Sequence, residues 1–145
     1  MKIKSVDHIG LIVKDMDKAL AFYTDIMGFK LVGEVTEWAG SPEESAAMGV
    51  PEKTQYRCAL VEGEDGTKIQ FMEFDAMDAP VPLGTQGAHY LSYMVDDMTA
   101  WVKKLEDAGC RLMSQPLEYD EFGETIQWCY VQDPNGIIFE LVGAK

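Results

Sequence analysis

The chain contains an internal repeat, and this repeat limits the folds that it can adopt. Each half opens on a histidine, at His8 and His89, and these are the two histidines of the chain. A helix-like pattern that ends in a glycine follows each of them, at Gly28 and Gly109. Both pairs are 81 residues apart. The repeat therefore predicts a duplicated module rather than one continuous fold.

In both halves, the spacing between apolar residues changes along the chain in the same order. A two-residue period predicts strands, and a stripe with a period of about 3.6 residues predicts helices. Asp15 and Asp97 stand at the helix starts, where an aspartate caps free backbone N–H groups. The predicted strands are 3–13, 29–35, 55–62, 67–74, 89–95, 111–114, 125–132 and 137–142, and the predicted helices are 16–27 and 98–108. Each half is therefore predicted to be βαβββ, and the fold class to be α+β.

Length and composition suit a single domain that spans residues 1–145. Its repeat modules would be 1–78 and 88–145, and the linker 79–87 is rich in proline and glycine. The first half also carries an acidic insertion at 37–54 that has no counterpart in the second. Such an insertion is more often a pocket cover or an interface than part of the core.

Charge and cysteine content exclude several classes of function. The 25 acidic and 12 basic residues give a net charge of −13, which disfavours binding to nucleic acid or to an anionic membrane. No apolar run reaches the roughly 20 residues of a membrane span, and no signal peptide is recognisable, so a cytoplasmic location is expected. Three cysteines without paired spacing are typical of reduced thiols.

The last strand of each half carries a polar residue at a matching place. Gln70 lies four residues after Gly66, as Glu140 lies four residues after Gly136. Glu73 is the charged alternative in the first half, but it falls on the opposite face of the strand from Gln70. Register and parity therefore favour Gln70, because a slip of one residue would reverse the whole strand.

Each half thus offers a histidine and an oxygen donor, which are the components of one metal site. Glu140 lies in an apolar strand, where a carboxylate is costly to bury alone. A divalent ion is one compensation, and a salt bridge or exposure at the strand edge is another. Two imidazoles and two oxygen donors suit Zn²⁺, Ni²⁺, Co²⁺, Mn²⁺ or Fe²⁺.

Three segments resemble the signatures of the vicinal oxygen chelate superfamily, which includes glyoxalase I, methylmalonyl-CoA epimerase, extradiol dioxygenases and bleomycin resistance proteins. They are Val6–Gly10, the stretch from Gly87 to Met98, and Asp133–Glu140. The resemblance implies a glyoxalase-like fold, in which two βαβββ modules form an open, cup-shaped mixed sheet with flanking helices. It further implies a homodimer, and a divalent metal ion held by four ligands. Those ligands would be His8, Gln70, His89 and Glu140.

The ligand set is closest to those of glyoxalase I and methylmalonyl-CoA epimerase. It implies a metal-dependent lyase or isomerase that acts on a small oxygenated substrate through a metal-stabilised enolate, with Glu140 as the catalytic proton carrier. An Fe²⁺ extradiol dioxygenase is an alternative, although such enzymes use a third histidine. A non-catalytic binder of a bleomycin-type antibiotic is another, and it fits the net charge of −13. Candidate pocket residues are Trp38, Met48, Arg57, Tyr93 and Trp128.

Overall fold

The computed structural model describes residues 5–48, 50–75, 86, 89–121 and 124–144. The chain divides into two compact units, Met1–Asp78 and Ala79–Lys145, and each has a sheet of its own. Apart from Gln86, the predicted linker 79–87 lies outside the described residues. Among the helices of the described ranges, none is long and apolar enough to cross a membrane.

The first unit is a four-stranded mixed sheet with one helix from the repeat and one from the insertion. Strand β1 pairs in parallel with β4, and β4, β3 and β2 continue the sheet as antiparallel neighbours. The elements are β1 (Ile9–Ile12), α1 (Met16–Ala21), β2 (Lys30–Ala39), α2 (Pro42–Met48), β3 (Gln55–Glu62) and β4 (Lys68–Phe74). Helix α2 lies in the acidic insertion and was not predicted from the sequence.

Helix α1 begins at its predicted cap but ends in a different helical form. The Asp15 side chain accepts the backbone N–H of Lys18 at 3.0 Å, as expected of a capping residue. The helix continues as a π-helical segment over Phe22–Ile26, in which the N–H of Met27 reaches the carbonyl of Phe22, five residues back. A π segment accommodates an extra residue in a helix, and here it shifts everything that follows by one position.

The second unit repeats this plan. Strand β5 pairs in parallel with β9, β9 pairs with β8, and β8 carries both β6 and β7 on its other side. The elements are β5 (Ser92–Met94), α3 (Met98–Asp107), β6 (Arg111–Leu112), β7 (Leu117–Glu121), β8 (Glu124–Gln132) and β9 (Ile138–Ala144). Strand β7 was not predicted. The α+β class with two βαβββ modules is confirmed. In the second unit, β6 and β7 both pair with β8, so together they take the place that the single strand β2 has beside β3 in the first unit.

Glu73 connects the first helix to the sheet. Its carboxylate accepts the backbone N–H of Met16, the first residue of α1, and lies 3.4 Å from the guanidinium of Arg57. Arg57 also donates to Asp17 and Glu37, at 2.8 Å each. One cation and three carboxylates therefore join α1, β2, β3 and β4, and this structural role occupies the carboxylate of Glu73.

We expect Glu73→Ala to lower the free energy of unfolding by about 1–3 kcal/mol, because it leaves a helix N–H without its acceptor and removes one partner of Arg57. Urea denaturation checks this, with the exposed Glu34 on β2 as the matched control position. An equal loss of stability in Glu34→Ala would contradict the structural role of Glu73.

A buried aspartate closes the hairpin between β8 and β9. Asp133 is 4% exposed, and one of its oxygens accepts the backbone N–H groups of Asn135 and Ile137. Among the described residues, its other oxygen has no hydrogen-bond partner. Burial raises the pKa of Asp133 to about 6, although the backbone N–H groups lower it in part. The native state therefore holds a proton at Asp133 in a pH range where the unfolded chain has lost it.

This predicts a loss of stability as the pH rises from about 4 to about 7, since the native state binds the proton more tightly than the unfolded chain. The contribution is on the order of 2–3 kcal/mol for a shift of about two pKa units. Asp133→Asn keeps the accepting oxygen and removes the charge. As the pH rises over this range, the free energy of unfolding of Asp133→Asn should therefore increase relative to that of the wild type. Urea titrations at several pH values measure this difference. Asp96→Asn, at an exposed position, is the matched control, and an equal change in that variant would contradict the assignment to Asp133.

Candidate functional site

Gln70 lies on the open face of the first sheet. On β4, Ile69 and Phe71 are fully buried, while Gln70 between them is half-buried. Gln70 pairs with Gly10 of β1, and His8 lies two residues before Gly10. Side chains alternate along an extended chain, so His8 belongs to the same face as Gln70. Glu73 is on the opposite face, with α1.

His8 is oriented by its neighbour in the chain. Its Nδ1 atom lies 2.8 Å from a carboxylate oxygen of Asp7 and donates to it. This hydrogen bond and the charge of His8 lower the pKa of Asp7. Metal-binding histidines commonly donate one ring N–H to a carboxylate and ligate through the other nitrogen. The Asp7–His8 pair shows this hydrogen bond through Nδ1.

Glu140 occupies the corresponding place in the second unit. Its neighbours on β9, Phe139 and Leu141, are buried, so Glu140 points to the other face of the sheet. It pairs with Ser92 of β5, and the Ser92 hydroxyl donates to its carboxylate at 2.6 Å. The backbone N–H of Glu140 is bonded to the carbonyl of Leu91. The carboxylate is therefore held in position by a side chain of the adjacent strand.

Two tyrosines lie beside this carboxylate. Tyr130 of β8 pairs with Glu140 of β9, and its ring packs edge-on against Tyr90 at 5.2 Å. A hydrogen bond with Tyr90, burial and the negative charge of Glu140 raise the pKa of Tyr130 to about 12. At neutral pH the Tyr130 hydroxyl is therefore protonated, and its hydrogen is engaged by Tyr90.

A cavity of about 590 Å³ opens on the same face of the second sheet. Leu117, Glu118, Trp128, Tyr130, Glu140 and Val142 line it. Trp128 and Glu140 were candidate residues from the sequence, whereas the other four were missed. Tyr130 could have been found, because the tight turn at 133–136 pairs it directly with Glu140.

The structure corrects the predicted equivalence of the two histidines. Gly10 pairs with Gln70 as Ser92 pairs with Glu140, and the helix caps Asp15 and Asp97 are likewise 82 residues apart. Gly28 and Gly109 are only 81 residues apart because the π segment gives the helical stretch before Gly28 one residue more than the stretch before Gly109. The residue that matches His8 is therefore Tyr90, and His89 precedes it by one position.

Two of the candidate pocket residues lie on the faces opposite Gln70 and Glu140. Arg57 pairs with Glu73 and shares its face of the sheet, opposite Gln70. Tyr93 pairs with the buried Leu141, and its ring contacts Phe139 at 5.5 Å, on the face opposite Glu140. Trp38, in contrast, pairs with Tyr56 and stacks on its ring at 5.2 Å, so it lies on the same face as Gln70. The side chain of Met48 lies outside the described part of the chain.

The acidic insertion covers one end of the open face in the first unit. Tyr56 shares this face with Gln70, and its hydroxyl lies 3.1 Å from that of Ser45 on α2. Ser45 and Tyr56 are both buried. Gly40 passes so close to the Tyr56 ring that a Cβ atom there would lie 2.0 Å from it, so only glycine fits. These contacts support the predicted role of the insertion as a cover.

The thiols offer no reactive nucleophile. Burial raises the pKa of Cys110 to about 12, with a further effect of the Asp133 charge, and it also raises the pKa of Cys58 and Cys129. All three cysteines are free thiols. In the described ranges, no three His, Cys, Asp or Glu side chains lie together as a metal cluster. Each unit instead offers a small set of oriented donors, Asp7–His8 with Gln70 in one and Ser92–Glu140 in the other.

Comparison with known proteins agrees with this architecture. The chain is 23% identical to the mitochondrial methylmalonyl-CoA epimerase of Homo sapiens, over 94% of this chain and 72% of that protein. It is 25% identical to a 2-epi-5-epi-valiolone epimerase of Actinomyces sp, over 95% and 78% of the two chains. A glyoxalase family protein from Bacillus cereus has the same fold, with a TM-score of 0.83 and 21% identity over 99% of this chain and 96% of that one.

The family model for the Glyoxalase/Bleomycin resistance protein/Dioxygenase superfamily matches residues 5–141. This range includes every element of both sheets except the end of β9. The chain therefore belongs to the glyoxalase/bleomycin resistance protein/dioxygenase superfamily.

Proposed function

We propose that this protein is a metal-dependent isomerase that moves a proton at a carbon next to a substrate oxygen. Several relatives of the chain are named epimerases, and epimerisation requires such a proton transfer. The observation that carries the proposal is the orientation of the donors. Asp7 fixes the ring of His8, and Ser92 fixes the carboxylate of Glu140. Supporting hydrogen bonds of this kind are typical of ligands and of proton-transfer groups.

The donor chemistry fits a divalent ion. His8, Gln70 and Glu140 supply one imidazole and two oxygen donors, and His89 is the fourth ligand predicted from the sequence. Zn²⁺, Ni²⁺, Co²⁺, Mn²⁺ and Fe²⁺ accept such mixed sets. When bound, the ion supplies Lewis-acid stabilisation of the negative charge that develops on the substrate oxygen.

The residues of the second unit supply the proton chemistry. Glu140 accepts the proton from the substrate carbon, and the Ser92 hydroxyl keeps one carboxylate oxygen engaged so that the group holds one orientation. Tyr130 lies beside this carboxylate and is hydrogen-bonded to Tyr90, and the Tyr130 ring forms the wall of the cavity next to Glu140. Glu140 then returns the proton to the planar intermediate after the intermediate has turned its opposite side towards the carboxylate, which completes an epimerisation.

A metal titration tests the ligand set. We expect His8→Ala and Gln70→Ala to weaken the binding of Co²⁺ or Zn²⁺ to the metal-free protein by at least tenfold, as measured by isothermal titration calorimetry. Asp7→Asn should weaken it by about 10- to 100-fold, because it removes the hydrogen bond that orients His8. Glu73→Gln is the matched control, since Glu73 lies on the opposite face and should leave the affinity unchanged. Equal losses in Gln70→Ala and Glu73→Gln would contradict the proposed set.

A second pair of variants tests which residue of the second repeat binds the metal, His89 or Tyr90. If His89 is the fourth ligand, His89→Ala weakens metal binding and Tyr90→Phe does not. If the ligand is instead Tyr90, which matches His8 in strand register, Tyr90→Phe weakens metal binding because Phe has no oxygen donor, and His89→Ala does not. Visible spectra of the Co²⁺-loaded variants report the change in coordination directly, and identical spectra in both variants would exclude both residues from the site.

A non-catalytic small-molecule binder is the second candidate, and Tyr90 favours it. A tyrosine at the position that matches His8 removes an imidazole from one half of the repeat. The two candidates differ in metal content. Protein that binds no stoichiometric divalent ion after anaerobic reconstitution, as determined by elemental analysis, would be a binder and not the proposed isomerase.

A further inference from the structure

We infer that Tyr90 and Tyr130 form an oxidative modification site, at which a peroxide-driven one-electron oxidant joins the two side chains as dityrosine. The new bond is a carbon–carbon bond between the two rings, at the ring carbons next to the hydroxyl groups. This crosslink goes beyond the proposed function, because its formation requires neither a bound metal ion nor a substrate.

The two tyrosines meet on the open face of the second sheet. Tyr130 pairs with Glu140, and Tyr90 lies two residues before Ser92, which pairs with Glu140 from the other side. The ring centroids are 5.2 Å apart and the ring planes cross at 87°, so the edge of one ring points at the face of the other. A hydrogen bond also joins the two side chains. Because the hydroxyl groups meet, the ring carbons beside them are held near each other.

One tyrosine of the pair is open to an oxidant, and the other is partly shielded. Tyr90 is 45% exposed, whereas Tyr130 is half-buried. Tyr130 donates its hydroxyl hydrogen to Tyr90. An oxidant that removes an electron and a proton from Tyr90 leaves a phenoxyl radical, and Tyr130 transfers a hydrogen atom to this radical along the hydrogen bond. The radical then lies on Tyr130, and Tyr90 is restored for a second oxidation.

The second oxidation completes the reaction. Loss of another electron and proton from Tyr90 gives two neighbouring radicals, whose unpaired electrons form one carbon–carbon bond. The hydrogen on each coupled carbon leaves as a proton and each phenoxyl oxygen takes one up, which restores both hydroxyl groups and both aromatic rings. The pair loses two electrons and two protons in total. Hydrogen peroxide, acting through a peroxidase, accepts them and becomes two molecules of water.

Other oxidisable side chains are less accessible than Tyr90. Cys110 and Cys129 are buried, and burial raises the pKa of both thiols, so little reactive thiolate is present. Tyr23 and Tyr56 are 0% and 1% exposed, and they contact phenylalanine rings at 4.8 Å and 5.3 Å. An exposed tyrosine in contact with a second tyrosine is therefore the favoured place for dityrosine to form.

The crosslink would connect two strands across the strand that carries Glu140. Tyr90 precedes β5 and Tyr130 belongs to β8, and β9 lies between these two strands. The bond would also restrict the segment that contains His89. A covalent link between distant residues lowers the conformational entropy of the unfolded chain. Crosslinked protein should therefore unfold at a higher urea concentration than untreated protein.

Treatment of the full chain with peroxidase and hydrogen peroxide tests the inference. At low protein concentration, the product should have the mass of one chain less two hydrogen atoms and should show the blue fluorescence of dityrosine. Proteolysis should release a linked pair of peptides that contain Tyr90 and Tyr130. Ordinary and isotopically labelled chains, refolded together before oxidation, separate a bond within a chain from a bond between chains. Linked peptides that carry mixed labels, a main product between other tyrosines, or the absence of dityrosine would overturn the inference.

Conservative variants locate the bond. Tyr90→Phe and Tyr130→Phe each keep the ring and remove one hydroxyl group, so each should lower the yield of dityrosine within a chain at least tenfold. Tyr93→Phe is the matched control, because Tyr93 lies on the opposite face of β5 and its loss should leave the yield unchanged. Circular dichroism of the untreated variants verifies that they fold. An undiminished yield in folded Tyr90→Phe, or an equal loss in folded Tyr93→Phe, would contradict the pairing.

Discussion

The parallel pairing of the first and last strand in each unit is the constraint on which the rest of the structure depends. It places Gly10 beside Gln70 and Ser92 beside Glu140. Because side chains alternate along a strand, this one register decides which residues face the helices and which face the open side. A slip of one residue in β4 would bring Glu73 to the open face and expose Ile69 and Phe71, which are fully buried. The burial of apolar side chains therefore fixes the position of the polar ones.

The two units use their carboxylates for different purposes. In the first unit, Arg57 gathers Asp17, Glu37 and Glu73 into a cluster that fastens α1 to the sheet. In the second unit, Glu140 lies beside a serine and two tyrosines, with a cavity in front of it. A paired carboxylate stabilises a fold, whereas a carboxylate held by neutral hydrogen bonds keeps its charge for a ligand. The open face of the second sheet therefore carries a carboxylate that none of the ion pairs among the described residues includes.

The hydrophobic pattern was sufficient to predict most strands and helix starts, including β3 at 55–62 and the caps Asp15 and Asp97. It predicted the opposite faces of Gln70 and Glu73 for the same reason, since strand parity depends only on local geometry. It could not predict the π segment, because the choice between α and π hydrogen bonds depends on how Phe22 and Tyr23 pack in the core. Helix α2 and strand β7 were missed because they belong to acidic segments without a regular apolar period.

The π segment also explains why the sequence pointed to His89. The repeat was aligned on its glycines, which lie after the extra residue, and this alignment made the two histidines equivalent. Aligned on hydrogen bonds, the strands make Tyr90 the equivalent of His8. Tyr90 in turn is hydrogen-bonded to Tyr130, which lines the cavity beside Glu140. One inserted residue in a helix of the first unit therefore misaligned the repeat, and strand pairing places Tyr90, rather than His89, at the position that matches His8.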